Sequence, residues 1–392
     1  MVIQSTGTSR RIAPFKESVW LGVDAMFDRH PDMIFFGNGA PANDLMPLDR
    51  LKWASAQAWE DGLNQLSYGE TEGYAPLREL IVRQMAAIGA PATADEIVVV
   101  NGSQEGMDIV GRTLLHEGDI VLVEGPTFPD AIRLYQSHDA EVVGMEMDKD
   151  GIVVERLAAL LDRLPRTPKF IYTIPTFQNP SGTTLPLDRR HALVNLARER
   201  GILLVEDDPY SAFRYEGEPL PPLRALEPNS VYLGTFSKTL APGLRVGWIS
   251  APSPLFGHFF AVKEVMSISN SRLTTRVAYH AAAGGFLEEH VAVAREAYRI
   301  RRDTLLAAME EYLPPQATWV RPEGGFFVWV DLPEEIDTDV LLTKAAANGV
   351  IFLPSSWFFP DRSKRNSFRL SFSAIPVEQM AEGIRRIGEV LT

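Results

Sequence analysis

The fold of this chain is decided by one stretch, GTFSKTLAPGLRVGW, which spans residues 234–248. In it an apolar strand runs into hydroxyl side chains and Lys238, and a Pro-Gly turn separates this lysine from Arg245. Partial burial between apolar strands lowers the pKa of a lysine, which favours condensation of its amine with a carbonyl group. Lys238 is therefore a candidate Schiff-base lysine, and the alternative is an ordinary surface lysine between small polar residues.

Short apolar runs alternate with helix-like segments on both sides of this stretch. Such alternation is typical of an α/β protein with a mostly parallel sheet whose two faces are covered by helices. The predicted strands are residues 96–100, 120–123, 170–173, 202–205, 231–233 and 246–249. Together they predict one large domain.

A second, smaller domain is expected because 392 residues exceed one ordinary core. A charged, proline-free stretch at residues 287–313 favours a long helix that can link two domains. The elements predicted beyond it form a small α+β unit, with strands at residues 325–331 and 367–373 and a closing helix at residues 377–391. We expect the large domain over residues 49–286, and the small domain over residues 287–392 together with an N-terminal arm, residues 1–48.

Composition excludes several classes of function. The net charge of -13, from 51 acidic and 38 basic side chains, disfavours nucleic acid as a partner. The chain has no cysteine, which excludes disulfides, thiolate metal sites and cysteine nucleophiles, and no metal site is expected. No apolar run is long enough for a signal peptide or a membrane span, so we expect a cytoplasmic protein without membrane contact.

A second candidate loop, NGSQ at residues 101–104, follows a predicted strand and precedes a predicted helix. Such a turn directs free backbone N–H groups and the positive end of a helix dipole at an anion. It can therefore cradle a phosphate, although a plain structural turn has the same sequence signature.

Four further motifs complete the pattern, and they are YGETEGYAPLR at residues 68–78, TIPTFQNPSG at 173–182, EDDPY at 206–210 and NSFRLSFS at 366–373. With them the chain resembles the class I and II, or fold-type I, pyridoxal 5′-phosphate (PLP) dependent aminotransferases, over nearly its whole length. It looks most like the bacterial branch of 2-aminoadipate, aromatic and kynurenine aminotransferases. The resemblance implies a fold-type I transferase, whose large domain has a mostly parallel seven-stranded sheet beside a smaller α+β domain, with PLP on Lys238.

The resemblance also implies roles around the cofactor ring. Asp207 would keep the pyridine nitrogen protonated, and Asp208 is its rival for this role. Asp207 is preferred because it precedes Tyr210 by three residues, which is the family's spacing, and Tyr210 would reach the phenolic O3′. Asn179 would bond O3′ from the other side and touch the substrate carboxylate. Phe128 would stack on the ring, or else it belongs to the core.

Phosphate and substrate contacts follow from the same resemblance. The residues implied for the phosphate are Ser103, Gln104, Thr235, Ser237 and Arg245. Arg369 would receive the substrate α-carboxylate by a bidentate pair, and the alternative is a surface arginine on an edge strand. Tyr68 matches a tyrosine that reaches the neighbouring subunit's phosphate, which implies a homodimer with two shared active sites.

The residues expected to line the substrate are Trp20, Asn38 and Gly39, with Phe358 nearby, and Trp20 could instead anchor the N-terminal arm. Three departures from the branch concern this region and the phosphate. Glu105 stands where the branch has a second glutamine and is expected to point away from the phosphate. Asn38-Gly39 replaces a double glycine, and residues 18–23 lack an arginine that some relatives use for acidic side chains. A hydrophobic or aromatic donor is therefore expected.

These features predict an aminotransferase that moves an amino group from an L-amino acid to a 2-oxo acid, with 2-oxoglutarate as the expected acceptor, by a ping-pong cycle. Lys238, Asp207 and Tyr210 are the catalytic candidates, and Lys238 would also shuttle the substrate proton. Another PLP reaction on this scaffold, by a β-lyase, a racemase or an oxidative enzyme, remains an alternative. A PLP-sensing regulator is disfavoured because residues 1–48 do not look like a helix-turn-helix module.

Overall fold

The structure is a computed structural model and describes residues 9–15, 32–60 and 62–391. In these ranges the strands β1 to β14 are Ile34–Phe35, Ile97–Val100, Ile120–Gly125, Glu141–Asp148, Gly151–Ile152, Phe170–Thr173, Leu203–Asp208, Val231–Thr235, Gly247–Ser250, Thr318–Trp319, Phe327–Asp331, Val350–Ile351, Leu353–Pro354 and Ser367–Ser371. The helices α1 to α12 are Leu48–Trp59, Ala75–Ala87, Ser103–Leu114, Pro129–Ser137, Val154–Leu161, Leu187–Arg200, Leu223–Leu226, Ser253–Ser267, Arg272–Ala282, Phe286–Tyr312, Thr338–Ala347 and Val377–Leu391.

The central sheet has the strand order β2-β9-β8-β7-β6-β3-β4-β5. Strands β8, β7, β6, β3 and β4 pair in parallel, whereas β9 runs antiparallel to both of its neighbours. The mostly parallel sheet is thus confirmed, but it has eight strands in the described part of the chain instead of seven. The six runs predicted for this sheet include neither β4 nor β5, and the short strand β5 pairs antiparallel with the end of β4. A strand of two residues is too short to be recognised as an apolar run in the sequence.

All six strands predicted for this sheet are present, with ends shifted by at most a few residues. The largest shift is in β7, which was expected to end at Val205 and continues to Asp208. Its last residues are acidic, but they are buried and pair with β8. Because acidic residues are rare inside strands, their polarity concealed the strand end in the sequence.

The smaller unit contains an antiparallel sheet of order β10-β11-β14-β13. Strands β11 and β14 correspond to the two predicted strands, and their pairing sets Trp329 opposite Arg369. The closing helix α12 has the predicted bounds. A separate core of buried side chains from α10, α11, α12 and this sheet holds the unit together.

The long helix α10 belongs to both cores, as expected for a linking helix. The side chains of Leu287, Val291 and Tyr298 in its first half are buried in the core of the large sheet. Leu305 and Met309 in its second half are buried in the core of the smaller unit.

The N-terminal arm divides between the two units. Strand β1 pairs in parallel with β12 of the smaller unit, as expected for the arm. Residues Arg10–Phe15 depart from that expectation, because this short 3-10 helix packs on α4 of the large unit. Arg10 and Arg11 both form ion pairs with Asp139 there, at 2.9 Å each. The division into domains at residues 49 and 286 stays a prediction.

Across the three described ranges, none of the helices combines the length and the apolar character that a membrane crossing requires. The same residues contain no cluster of three or more His, Asp or Glu side chains arranged to hold a metal ion.

Candidate active site

A cavity of about 300 Å³ lies at the carboxyl ends of the parallel strands, where open α/β sheets bind ligands. The smaller unit and the arm close its other side, through residues such as Phe327 and Gly37. The predicted site residues that line it are Asn38, Gly39, Ser103, Gln104, Phe128, Asn179, Asp207, Tyr210, Thr235, Ser237, Lys238, Arg245 and Arg369. A larger cavity of about 840 Å³ along β4 contains none of them.

Two predicted residues of the described ranges, Tyr68 and Phe358, are not in this wall. Trp20 lies outside the described residues. Tyr68 lies on the surface, with 78% of its side chain exposed, and its backbone oxygen accepts a hydrogen bond from Arg272 Nη1 at 3.1 Å. Phe358 is also absent from the cavity wall, because it is fully buried beside Trp329 and the guanidinium of Arg369.

Lys238 follows β8 and points its amine into the cavity. Its Nζ donates a hydrogen bond to the backbone oxygen of Gly39 at 2.9 Å. Burial lowers the pKa of Lys238 to about 8, and the charges of Arg369 and Arg245 act in the same direction, while Asp207 opposes them. The amine is therefore neutral more often near pH 7 than that of an ordinary lysine, which suits attack on a carbonyl.

Asp207 and Asp208 end β7 and face opposite sides of the sheet, because side chains alternate along a strand. Asp207 Oδ2 accepts a hydrogen bond from the Tyr172 hydroxyl at 2.8 Å, whereas its buried Oδ1 has no partner within the described residues. Burial raises the pKa of Asp207 to about 7. Asp208 instead accepts hydrogen bonds from the Tyr232 hydroxyl at 2.9 Å and the Ser211 N–H at 3.0 Å. Of the two, only Asp207 offers a free oxygen to a cationic group in the cavity.

Arg369 enters the cavity from β14 and is 4% exposed. Its Nη1 donates to Asn179 Oδ1 at 2.8 Å and its Nη2 to the Gly37 oxygen at 2.5 Å. The guanidinium carbon lies 4.3 Å from the centre of the Phe327 ring and 5.2 Å from that of Phe358. No carboxylate of the described chain pairs with it, and its Nε has no partner there. Because an unpaired buried cation is costly, this site favours an anionic ligand.

Tyr210 contributes a buried hydroxyl to the same wall. Its ring packs edge-on against Phe326 and Phe327, with ring centres 5.5 Å apart in each case. Burial raises the pKa of Tyr210, although Arg369 and a hydrogen bond with the Asn179 side chain act against this shift. The hydroxyl therefore stays protonated at neutral pH and can donate a hydrogen bond.

The turn before α3 forms one end of the cavity. Gly102 has a φ of +82° and its Cα lies so close to Arg245 that a Cβ would collide with the guanidinium. Arg245 Nη2 donates to the Asn101 oxygen at 3.0 Å, which holds the cation beside the first N–H groups of α3. This arrangement of a cation and a helix N-terminus suits a phosphate.

Hydroxyl groups border the same end of the cavity. Thr235 Oγ1 donates to Ser237 Oγ at 2.9 Å and accepts from the Ser237 N–H at 3.1 Å. Glu105, whose charge is unexpected near a phosphate, folds back so that its Oε2 accepts the Asn101 N–H at 2.5 Å. Glu105 therefore stabilises the turn through the Asn101 N–H.

Several residues of the site were missed by sequence reasoning. The clearest is Tyr172, which holds Asp207 and could have been found from strand pairing, because it pairs with Val205, two residues before Asp207 on the same face. Gly37 contributes only a backbone oxygen and has no sequence signature. Asp130 also lines the cavity, and burial raises its pKa.

The residues present fit PLP group by group. Lys238 offers an amine for the aldehyde, and the unpartnered Oδ1 of Asp207 can accept the proton of the ring nitrogen. The turn at Gly102, with Arg245, matches the phosphate, and a Cβ at Gly102 would take the space of the Arg245 guanidinium. Arg369 remains for a second anion.

Comparison with known proteins adds family information. The sequence profile of the family "Aminotransferase class I and II" matches residues 31–387. Aromatic-amino-acid aminotransferase 1 of Thermococcus litoralis is 37% identical, over 92% of this chain and 88% of that protein. The Pyrococcus horikoshii kynurenine aminotransferase, solved with PMP, superposes with a TM-score of 0.94 at 34% identity, over 98% of this chain and 96% of that one. The α-aminoadipate aminotransferase of Thermus thermophilus, complexed with N-(5′-phosphopyridoxyl)-L-leucine, has a TM-score of 0.90 at 30% identity, over 99% and 97%.

Proposed function

Because this chain belongs to the aminotransferase class I and II family, we propose that it transfers the amino group of a hydrophobic or aromatic L-amino acid to 2-oxoglutarate, with Lys238, Asp207 and Tyr210 as catalytic residues. It is a PLP-dependent transaminase of fold type I that moves an amino group from an amino acid to a 2-oxo acid. The observation that carries the residue assignments is the meeting of three complementary groups in one cavity: an amine of lowered pKa, an unpartnered carboxylate oxygen and an unpaired guanidinium.

Bound PLP supplies an aldehyde that condenses with amines and a protonated ring that withdraws electrons from the substrate α-carbon. The Nζ of Lys238 holds the aldehyde between turnovers, which its lowered pKa favours. When substrate has taken its place, the free Nζ removes the proton from the substrate α-carbon as a general base and later delivers it as a general acid.

Asp207 holds the proton on the ring nitrogen through its Oδ1, while Tyr172 fixes Oδ2. Burial raises the pKa of the isolated carboxyl to about 7, and a cationic N–H partner lowers it again, so the pair is charged when the cofactor is bound. Tyr210, whose hydroxyl is hydrogen-bonded to the Asn179 side chain, would donate a hydrogen bond to O3′ of the cofactor.

Arg369 receives the α-carboxylate of either substrate. Two of its five N–H donors are used by Asn179 and Gly37, so three remain for the ligand. The contacts with Asn179 and the aromatic rings fix the guanidinium plane before substrate arrives, which reduces the entropy lost on binding.

The charges of the cavity support a hydrophobic or aromatic donor. The cations among the described lining residues are Lys238, Arg245 and Arg369, and each already has a task. Asp130 also lines the wall, with its Oδ1 3.5 Å from Arg133 Nη1, and it offers no partner to the carboxylate of an acidic side chain. For 2-oxoglutarate, whose second carboxylate also needs a partner, the neutral amide of Asn38 can supply a hydrogen bond without making the pocket selective for acids.

The surface around Tyr68 supports a homodimer with shared active sites. Leu63 is 82% exposed and Leu66 is 71% exposed, and both lie just before the exposed Tyr68. Large apolar side chains exposed together are typical of an interface. In the proposed dimer, Tyr68 reaches the phosphate in the partner's cavity.

Two measurements test the proposed chemistry. Borohydride reduction of the PLP-loaded enzyme followed by peptide mapping is expected to leave the pyridoxyl group on Lys238, and its recovery on Lys263 or Lys169 would overturn the assignment. One amino acid alone is expected to convert the bound cofactor to its pyridoxamine form, whereas a lyase would release product without that spectral change.

The donor class is tested by kcat/KM for leucine, phenylalanine and 2-aminoadipate at a fixed concentration of 2-oxoglutarate. Leucine and phenylalanine are expected to be the better donors, because no described cation is left for the side-chain carboxylate of 2-aminoadipate. A clear preference for 2-aminoadipate would contradict the proposed pocket.

A further inference from the structure

Lys263, on α8, is a fully buried lysine that is not part of the cavity wall. Its Nζ donates hydrogen bonds to the backbone oxygen of Thr71 and to Asn270 Oδ1, the latter at 2.7 Å. No carboxylate in the described ranges is in direct contact with this ammonium group. Since a buried lysine without such a partner is costly, its position calls for an explanation.

A chain of hydrogen bonds connects Lys263 to the turn before α3. Asn270, which accepts from Lys263, donates through its Nδ2 to Asn101 Oδ1 at 2.9 Å. The backbone N–H of Asn101 donates to Glu105 at 2.5 Å, and its backbone oxygen accepts from Arg245 at 3.0 Å. Side chain, N–H and oxygen of Asn101 are thus all fixed, directly before the residues assigned to the phosphate.

A second connection leads to the segment that carries Tyr68. Thr71, whose oxygen accepts from Lys263, lies three residues after Tyr68. The Gly69 N–H donates to Ser269 Oγ at 3.1 Å, one residue before Asn270. Lys263 therefore ties the turn of its own cavity to the loop that presents Tyr68 at the surface.

The charge of Lys263 also bears on Glu105. A carboxylate near the phosphate end of the cavity weakens the binding of an anion. Burial lowers the pKa of Lys263 to about 8, whereas the charges of Glu105 and Glu72 raise it, so both acids lie within electrostatic reach of the ammonium group. A buried cation behind the turn offsets the carboxylate that this chain has there.

We propose that Lys263 is a positioning residue for the cofactor phosphate, which acts through Asn270 and Asn101 and compensates the charge of Glu105. The inference rests on the proposed assignment of the phosphate to the turn at residues 101–104. It differs from that assignment because Lys263 itself touches neither the cofactor nor the substrate.

The test compares the affinity of the apoenzyme for PLP with its affinity for pyridoxal, which lacks the phosphate. Lys263→Met is expected to raise the Kd of PLP by about tenfold to a hundredfold, the scale of one lost hydrogen bond to a charged group. The Kd of pyridoxal is expected to stay unchanged, because the turn does not contact the rest of the cofactor. A merely structural role would weaken both ligands alike.

Two further variants keep the test decisive if Lys263→Met folds poorly. Asn270→Ala breaks the connection to Asn101 without removing a buried charge, and it is expected to weaken PLP selectively. Adding Glu105→Gln to Lys263→Met removes the uncompensated carboxylate and is expected to restore part of the PLP affinity. Lys169→Met serves as the control, because this exposed lysine forms an ion pair with Asp119 at 3.6 Å, away from the cavity, and its loss should leave both affinities as in the wild type.

Unchanged PLP affinity, or equal weakening of PLP and pyridoxal, in both Lys263→Met and Asn270→Ala overturns the inference. This result is separable from a failure of the phosphate assignment. If the assignment were wrong, Arg245→Ala would leave the preference of the enzyme for PLP over pyridoxal intact, whatever the effect of Lys263→Met.

Discussion

At the residue scale, the two neighbouring acids of β7 illustrate how one position decides a role. Asp207 keeps one carboxylate oxygen unpartnered within the described residues, and Asp208 uses both of its oxygens for Tyr232 and Ser211. The same charge on adjacent residues therefore serves the cofactor in one case and the packing of the sheet in the other.

Replacing each acid separates these roles. Asp207→Asn is expected to raise the activation free energy by about 3–5 kcal/mol, the scale of losing one preorganised charge partner. Asp208→Asn should chiefly lower Tm, because its contacts are to Tyr232 and Ser211 and not to the cavity. Single-turnover rates at saturating PLP, together with thermal unfolding, distinguish the two, and equal losses of rate would show that the assignment of Asp207 is wrong.

The lowered pKa of Lys238 predicts how the apoenzyme reacts with PLP as the pH changes. With a pKa of about 8, half of the amine is neutral near pH 8 and nearly all of it about one pH unit higher, whereas the neutral fraction of a lysine with the ordinary pKa of 10.5 would still be rising at pH 10. Stopped-flow absorbance from pH 6 to 10 should show a rate that rises with a midpoint near pH 8 and levels off about one pH unit higher. A continued rise to pH 10 would mean that burial does not lower this pKa, and Lys238→Ala provides the baseline.

At the element scale, the start of α3 depends on a glycine for two reasons. Gly102 has a positive φ, and the space where its Cβ would lie belongs to Arg245. Gly201, at the end of α6, has a positive φ of +63° with nothing within 4 Å of a Cβ. Both glycines have a positive φ, but a ψ of 160° places Gly102 in a region that is essentially restricted to glycine, whereas a ψ of 34° places Gly201 in the left-handed helical region, and only Gly102 borders the phosphate end of the cavity.

Alanine at each position therefore gives a matched pair. Both variants should lose stability, Gly201→Ala by roughly 1 kcal/mol and Gly102→Ala by more, because the backbone conformation of Gly102 is less accessible to alanine and its Cβ would collide with Arg245. Only Gly102→Ala should also raise the Kd of PLP, by displacing Arg245. Denaturant unfolding of the apo form and PLP titration measure the two effects, and a similar loss of PLP affinity in Gly201→Ala would argue against a local effect of Arg245.

How far the sequence predicts these elements depends on the kind of group involved. Lys238 and Arg369 could be located because their motifs have fixed spacings beside apolar strands. Tyr172 was missed although it lies in a predicted strand, because its contact with Asp207 becomes apparent only when β6 is paired with β7. The contacts of the Gly37 and Gly39 backbone oxygens could not be predicted either, because every residue carries a backbone carbonyl. Strand β5 was missed for its shortness.

At the scale of the whole molecule, the proposed dimer makes a prediction about mixed subunits. If Tyr68 acts in the partner's cavity, a hybrid of one Lys238→Ala subunit and one Tyr68→Phe subunit has one site with both residues intact. Random exchange of equal amounts should then restore about a quarter of the wild-type sites, because half of the dimers are hybrids with one intact site each.

The readout is activity after subunit exchange at limiting PLP, compared with each variant alone. Mixing Lys238→Ala with Asp207→Asn is the control, because both changes lie in the same cavity. That hybrid places each defect in a different site of the dimer and regenerates none. Equal activity in both mixtures would contradict a Tyr68 that crosses between subunits.

Helix α10 connects the two units mechanically, because it packs in both of their cores. Its 27 residues, at a rise of about 1.5 Å each, make a rod roughly 40 Å long, so a tilt of about 5° at one end displaces the other by roughly 3.5 Å. Each half of the helix is packed in a different core, and Arg369 of the smaller unit contacts Asn179 of the large unit. The distance between the two residues is therefore coupled to the orientation of α10. Val293 on this helix is 68% exposed, so a spectroscopic probe attached there would report a change in the orientation of α10 from outside the cavity.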